Sequence, residues 1–256
     1  MKALLVDLDD TLLDYTGGVE DSWREACVAH AGLAGVDVEA LAPALARARR
    51  WLWSDPERHR AERMDMPGAW RKIAEHALAA LDASDARLAE AIAEDYAARR
   101  WRRIALFPGV TVALGKLRER GVLLGLVTNG DRRQQRRKVE HFALARFFDV
   151  ILIEGEFGSG KPDEFVYRHV PETLKAKPSD AWMVGDHLEW DVGAPQRLGL
   201  RGAWVDVEGG GLPADASTRP DLIIRAFTEI VDLVEHRGDG DGASSHAARR
   251  GGPRWS

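Results

Sequence analysis

The sequence is poor in several features that each mark a class of protein. It has one cysteine, Cys27, among 256 residues, so an internal disulfide is excluded and the chain fits a reducing compartment. No apolar run approaches the ~18 residues of a membrane-spanning helix. The opening Met1-Lys2-Ala3-Leu4-Leu5-Val6-Asp7 meets an acid after four apolar residues, too soon for a secretory leader. These absences lead us to expect a cytoplasmic protein with no membrane partner. Positive charge is not in excess, with 36 Lys and Arg against 41 Asp and Glu, which disfavours nucleic acid as a partner. Disorder throughout is excluded by the 45% of hydrophobic positions.

Residues 3–8 read as a buried strand ending in acid. From 19 to 104 no strand pattern occurs. Apolar positions there recur at three and four, and amphipathic helices are expected over 19–31, 39–53, 69–82 and 84–101. Strands then alternate with helices. Strands are expected at 122–127, 149–153, 181–185, 202–206 and 221–224, and helices at 110–120, 131–142, 163–176, 191–198 and 225–236. This alternation implies an α/β fold, a Rossmann-like doubly wound parallel sheet. Connections within such a unit take 2–6 residues, so 19–104 is an inserted helical cap. The core comprises 1–18 and 105–236, and the Gly- and Arg-rich 237–256 reads as a disordered tail.

Ligands of open α/β sheets bind beyond the carboxyl ends of the strands, and four such ends carry polar residues. They are Asp7-Leu8-Asp9-Asp10-Thr11, Thr128-Asn129-Gly130-Asp131, the loop to Gly160-Lys161-Pro162, and Gly185-Asp186-His187 with Asp191. Taken singly, each acid is a helix cap or turn residue. Taken together, Asp7, Asp9, Asp186 and Asp191 would repel by about 4 kcal/mol per pair at ~4 Å and an effective dielectric near 20. A hard divalent cation relieves that repulsion, and Mg²⁺ suits an all-oxygen site shared with phosphate.

In sequence order these motifs are Asp7-x-Asp9-x-Thr11, Thr128-Asn129-Gly130, Lys161-Pro162-Asp163 and Gly185-Asp186 with Asp191. Gln135-x-x-Lys138-Val139, Phe147-Phe148-Asp149 and Phe165 add to them. The pattern resembles the haloacid dehalogenase superfamily of phosphohydrolases, in the subfamily with a helical cap after the first motif. It is similar to the subgroup of pyrimidine nucleotidases and N-acylneuraminate phosphatases. The resemblance implies that Asp7 is the nucleophile and forms an aspartyl-phosphate, and that Asp9 is the general acid and then base. It implies that Thr128, Asn129, Gly130 and Lys161 bind the phosphoryl group, with Lys161 also steadying Asp7. Mg²⁺ would be held by Asp7, Asp9 through its carbonyl, and Asp186, with Asp191 orienting the shell. The implied activity is hydrolysis of a small phosphorylated metabolite, a nucleotide or sugar phosphate, by a monomer or homodimer. Asp9 argues against a dehalogenase, since a departing halide needs no proton. A phosphomutase and a non-catalytic phospho-ligand-binding module are the alternatives.

Five other patterns need separate readings. Gly155 to Lys161 matches most of a phosphate-binding GxxxxGK loop, but Pro162 stands where Ser or Thr is required. Arg132, Arg133, Arg136, Arg137 and Lys138 read as a solvated helix face, and His187 as a loop or substrate-contacting residue. Trp23, Trp51, Trp53, Trp70 and Trp101 crowd the insert as cap core, or in part as a platform for a planar group. Arg58, His59, Arg60 and Arg63 are candidates for the substrate's far end.

Overall fold

Ala3–Val6 contains no polar side chain and is wholly buried, which suits the middle of a parallel sheet. In the computed structural model, which describes residues 1–238, β1 (Ala3–Val6) is central. It pairs in parallel with β4 (Leu123–Thr128) on one side and β6 (Ala181–Gly185) on the other. The sheet extends to β5 (Val150–Ile153) beyond β4, and to β7 (Arg201–Val205) and β8 (Leu222–Ile224) beyond β6. All five pairings are parallel, giving a Rossmann-like α/β fold. The chain runs outward from β1 in one direction through β4 and β5, then in the other from β6 to β8. The crevice between these directions, at the carboxyl ends, is where such sheets bind ligands.

Alternation along the strands divides the apolar side chains between two layers. Leu4, Val6, Leu124, Leu126 and Val184 pack with residues of α6 (Val110–Glu119) and α11 (Ile230–Gly238). Ala3, Leu5, Val127 and Met183 pack with α9 (Glu164–Thr173) on the other face. α7 (Arg132–His141) adds Val139 to the first layer.

Between β1 and β4 the chain leaves through β2 (Leu13–Asp14) and returns through β3 (Ala105–Leu106), an antiparallel pair that opposes Leu13 to Leu106. The intervening helices are α1 (Val19–His30), α2 (Val38–Ser54), α3 (Pro56–Glu62), α4 (Met66–Ala79) and α5 (Ala86–Arg103). All but α3 share an apolar cluster of their own, with Leu41, Leu52, Ile73, Leu78 and Ile92 fully buried. Four of these helices start on an aspartate whose carboxylate accepts a first-turn N–H. These are Asp37 from Glu39, Asp55 from Arg58, Asp65 from Gly68, and Asp85 from Leu88.

Three details depart from the sequence expectations. The pair β2 and β3 was not expected, since two-residue strands leave no periodic signal. The helix expected over 39–53 is followed directly by a separate α3, because Asp55-Pro56 caps and starts a new helix. The helix expected over 191–198 becomes a wide π-type turn, Leu188–Gly193, followed by one turn of α10 (Ala194–Arg197). Pro195 has no N–H to offer and sits in the first turn of α10. A further single turn, α8 (Glu154–Phe157), follows β5 directly. Apart from its first two positions, the expected tail over 237–256 lies outside the described residues. Among the described residues no helix is long and apolar enough to cross a membrane.

Candidate active site

Asp7 leaves β1 with its amide donating to the Val184 carbonyl at 3.0 Å, so its carboxylate is fixed at the sheet's carboxyl edge. Lys161 Nζ lies 2.6 Å from Asp7 Oδ1 and 2.6 Å from Asp191 Oδ1, and Thr11 Oγ1 donates to Asp7 Oδ2 at 3.2 Å. Asp191 Oδ2 accepts the His187 amide at 3.0 Å. Asp7, Asp186 and Asp191 bring a carboxylate oxygen each within 4.8 Å of one another. Gly185 allows this approach, because a Cβ there would stand 2.3 Å from Asp191 Oδ2.

Three carboxylates around one ammonium leave negative charge in excess, and the carboxyl groups respond. Burial raises Asp7 to about 7, opposed by Lys161 and reinforced by Asp191. Asp186 keeps solvent access, yet partial desolvation by the cleft, with the charges of Asp7 and Asp191, raises it to about 8. Burial opposes the charge on Lys161, but Asp191 and Asp7 outweigh it and hold the ammonium above its ordinary range. The donor set is all oxygen and under-neutralised, which fits a hard divalent cation. The Asp186 carboxylate accepts no hydrogen bond from the described residues and has both oxygens to give, whereas the oxygens of Asp7 are engaged by Lys161 and Thr11 and those of Asp191 by Lys161 and His187.

The second motif serves two purposes. Asn129 Oδ1 accepts the Lys161 amide at 2.7 Å and Asn129 Nδ2 donates to the Lys161 carbonyl at 2.7 Å, so this side chain holds the lysine's backbone. The Gly130 amide donates to Glu154 Oε2 at 2.8 Å. Thr128 ends β4 and is buried, its Oγ1 accepting from Gln135 Nε2 at 2.5 Å. The same Gln135 nitrogen donates to Asp9 Oδ2 at 3.0 Å. Lys138 Nζ donates to both Asp9 oxygens, at 2.9 and 2.7 Å, and to Gln135 Oε1 at 2.7 Å. Lys138 is therefore not part of a solvated face. It is buried, while Arg132, Arg133 and Arg137 of the same run are exposed. Asp131 and Asp163 serve as helix caps, accepting from the Gln134 and Phe165 amides.

The helical insert roofs this floor and encloses a cavity of about 460 Å³. Arg63 Nε and Nη2 reach Glu154 Oε2 and Oε1 at 2.9 and 2.6 Å, and its guanidinium lies 5.3 Å from the Trp190 ring. His59 stacks on Trp190 at 5.5 Å, and Trp190 on His187 at 4.1 Å. Burial lowers both His59 and His187 below the ordinary histidine range. Of the four basic candidates in the insert, His59 and Arg63 line this cavity, while Arg58 stacks on Trp51 and Arg60 borders a neighbouring pocket. Glu154 was missed from sequence, although an acid directly after the apolar strand β5 is the signal that identified the other strand ends. Gln135 and Lys138 carry a weaker signal, two polar residues three apart on one face of α7.

Comparison with known proteins adds an independent line. Residues 1–199 match the family model for haloacid dehalogenase-like hydrolases. The chain is 35% identical over 252 residues to a phosphoserine phosphatase of Thermus thermophilus, covering 90% of this chain and 98% of that one. It is 33% identical over 154 residues to N-acylneuraminate-9-phosphatase of Rattus norvegicus, covering 60% of this chain and 61% of the relative. Among solved structures, a 2-haloacid dehalogenase from Pseudomonas syringae pv. Tomato superposes with a TM-score of 0.61 at 29% identity, covering 93% of this chain and 100% of that one.

Proposed function

The chain belongs to the haloacid dehalogenase-like hydrolase family, and on that premise we propose that it is a Mg²⁺-dependent phosphatase of small phosphorylated metabolites. The observation that carries this reading is the floor of the cavity. Asp7 is held there by Lys161 and Thr11, inside a three-carboxylate cluster that one lysine cannot neutralise.

In the proposed reaction an Asp7 oxygen attacks phosphorus and the bond to the leaving oxygen breaks, giving an aspartyl-phosphate. The departing alkoxide takes a proton from Asp9, which Lys138 and Gln135 keep in one position. Asp9 then removes a proton from water, whose oxygen attacks the same phosphorus and frees phosphate and Asp7. Thr128 binds the phosphoryl oxygens, and Gln135 links its hydroxyl to Asp9. Lys161 offsets the charge that builds on those oxygens, and Asn129 sets its backbone. Asp7, Asp186 and the carbonyl of Asp9 would hold Mg²⁺, with Asp191 orienting their surroundings. Bound there, the ion supplies Lewis-acid stabilisation of the transferring phosphoryl group. A halide leaving group would make no use of Asp9, so the Asp9–Gln135–Thr128 network favours an oxygen leaving group.

The test is phosphate release from a panel of phosphomonoesters, with Mg²⁺, with EDTA, and with the Asp7→Asn variant. Release that needs the metal and falls at least about 10³-fold in the variant is expected. Full activity in EDTA, or in Asp7→Asn, would refute the reading. Return of the phosphoryl group to a second position of the substrate, with no free phosphate, would identify a mutase.

A further inference from the structure

We propose that the site selects phosphomonoesters whose leaving alcohol carries an aromatic or broad apolar body without positive charge, an inference that rests on the phosphatase reading above.

The cavity has two unlike halves. The floor holds the acids, Thr128 and Lys161, whereas the insert lines the roof with Trp23, Trp53, Met66, Trp70, Ile73 and Tyr96. Much of this wall is set before a ligand arrives. Trp23 stacks on Tyr96 at 3.8 Å with planes 12° apart, and Trp70 meets the same ring edge-on at 5.5 Å. A surface ordered in advance loses little side-chain entropy on binding, so apolar contact there is retained as affinity.

The charges of the roof point the same way. Among the described residues that line the cavity, the insert contributes no carboxylate. Its guanidiniums are Arg49 and Arg63. Arg63 has two of its nitrogens on Glu154, and Arg49 pairs with Glu20, a side chain 75% exposed. A substrate ammonium group would leave water and meet no acid on the roof. Below it Lys161 and Lys138 engage Asp7, Asp191 and Asp9, Asp10 accepts from Tyr15 and Thr16, Asp131 caps α7, and Asp186 is left for the metal. An unpaired charge in such a place is strongly disfavoured. A zwitterionic amino-acid phosphate is therefore a poor fit, whereas a neutral ring is not. A carboxylate or other acceptor could be met by Arg49 in place of the exposed Glu20. At about 460 Å³ the cavity falls within the roughly 300–1,000 Å³ of sites that enclose ligands larger than a phosphorylated three-carbon chain.

The test compares kcat/KM for 2-phenylethyl phosphate, ethyl phosphate and O-phosphoserine at saturating Mg²⁺. The first two release alcohols of similar acidity, so their ratio reports the roof and not the chemistry. Burial of the ring predicts about tenfold or more in favour of the phenyl ester, with O-phosphoserine below it. Trp53 is half-buried at the cavity edge, and Trp53→Ala should lower the phenylethyl-to-ethyl ratio at least threefold. Trp70→Leu, with folding checked by circular dichroism, should lower it too. A ratio of one or less, or a preference for O-phosphoserine, with all three esters hydrolysed, would overturn this inference alone. No hydrolysis of any ester, p-nitrophenyl phosphate included, would overturn the phosphatase reading and this inference with it.

Discussion

Arg63→Met should unfasten the roof from the floor. Arg63 lies just beyond α3, and Glu154 begins α8 on the sheet, 91 positions later. Their side chains are 10% and 6% exposed, and two hydrogen bonds join them at 2.9 and 2.6 Å. In the variant Glu154 keeps the Gly130 amide but loses its cation. An uncompensated buried charge of this kind costs about 3–5 kcal/mol. We expect the protein to escape that cost by a swing of the insert about its two covalent crossings at β2 and β3, which would let water reach Glu154. The penalty then falls on the closed arrangement and not on the fold. A cost of 3–5 kcal/mol corresponds to a closed population lowered by about 10²–10³-fold or more. The closed wild-type fraction masks part of this, so the expected fall in kcat/KM is between about tenfold and 10³-fold. Tm should move by no more than about 2 °C, against the larger drop that loss of several kcal/mol from the whole fold would give. Adding Glu154→Gln removes the stranded charge while leaving an acceptor for Gly130, and should recover at least about threefold of the lost activity. Steady-state kinetics and thermal melts of the two single variants and the double variant decide the matter. Activity of Arg63→Met within threefold of the wild type, or a double variant no better than the single, would refute the reasoning.

Gly185→Ala should drive the Asp191 carboxylate off Lys161, since the new Cβ would stand 2.3 Å from Asp191 Oδ2. Overpacking costs about 1–3 kcal/mol, and turnover at least tenfold lower with only a modest drop in Tm is expected from assays and melts. Asn129→Ala removes both hydrogen bonds to the Lys161 backbone. At about 1 kcal/mol each, with buried groups left unpaired, kcat should fall by about 10–100-fold, and an unchanged kcat would show that the lysine is held by its salt bridges alone. For pH, Asp7 and Asp186 rise from 3.8 to about 7 and about 8 on folding. The native state then holds more protons than the unfolded state between about pH 4 and 8, so these two groups make metal-free stability fall as pH rises through that window. Tm without metal should be lower at pH 8.5 than at pH 5, Mg²⁺ should narrow the difference, and Asp186→Asn should shrink it. An Asp186→Asn protein with an unchanged slope would place the titration elsewhere.

Much of the molecule is legible in the linear chain, for reasons that are local. Ala3 to Val6 must lie between two layers because all its side chains are apolar, and the acids that follow must lie at the strand's end. Asp7, Thr128, Lys161 and Asp186 each announce themselves as polar groups just past apolar strands or the loops they lead into, and the open α/β rule brings such ends together. The helical character of 19–104 is written in its spacing of three and four. Other features depend on which distant side chains meet once the strands take the order β5-β4-β1-β6-β7-β8. Lys138 looks like one more cation in an arginine-rich helix until α7 packs against the sheet and turns it onto Asp9, 129 positions away. Arg63 reads as one candidate for the substrate's far end until the insert folds back and Glu154 takes its guanidinium. The tryptophans read as core or in part as a platform, and only the folded insert shows which of them, Trp23, Trp53 and Trp70, line the cavity. Periodicity and polarity encode the element and the face a residue occupies, because both act over a few residues. A contact between residues ninety or more apart is set by the packing of whole elements, and no local pattern carries it.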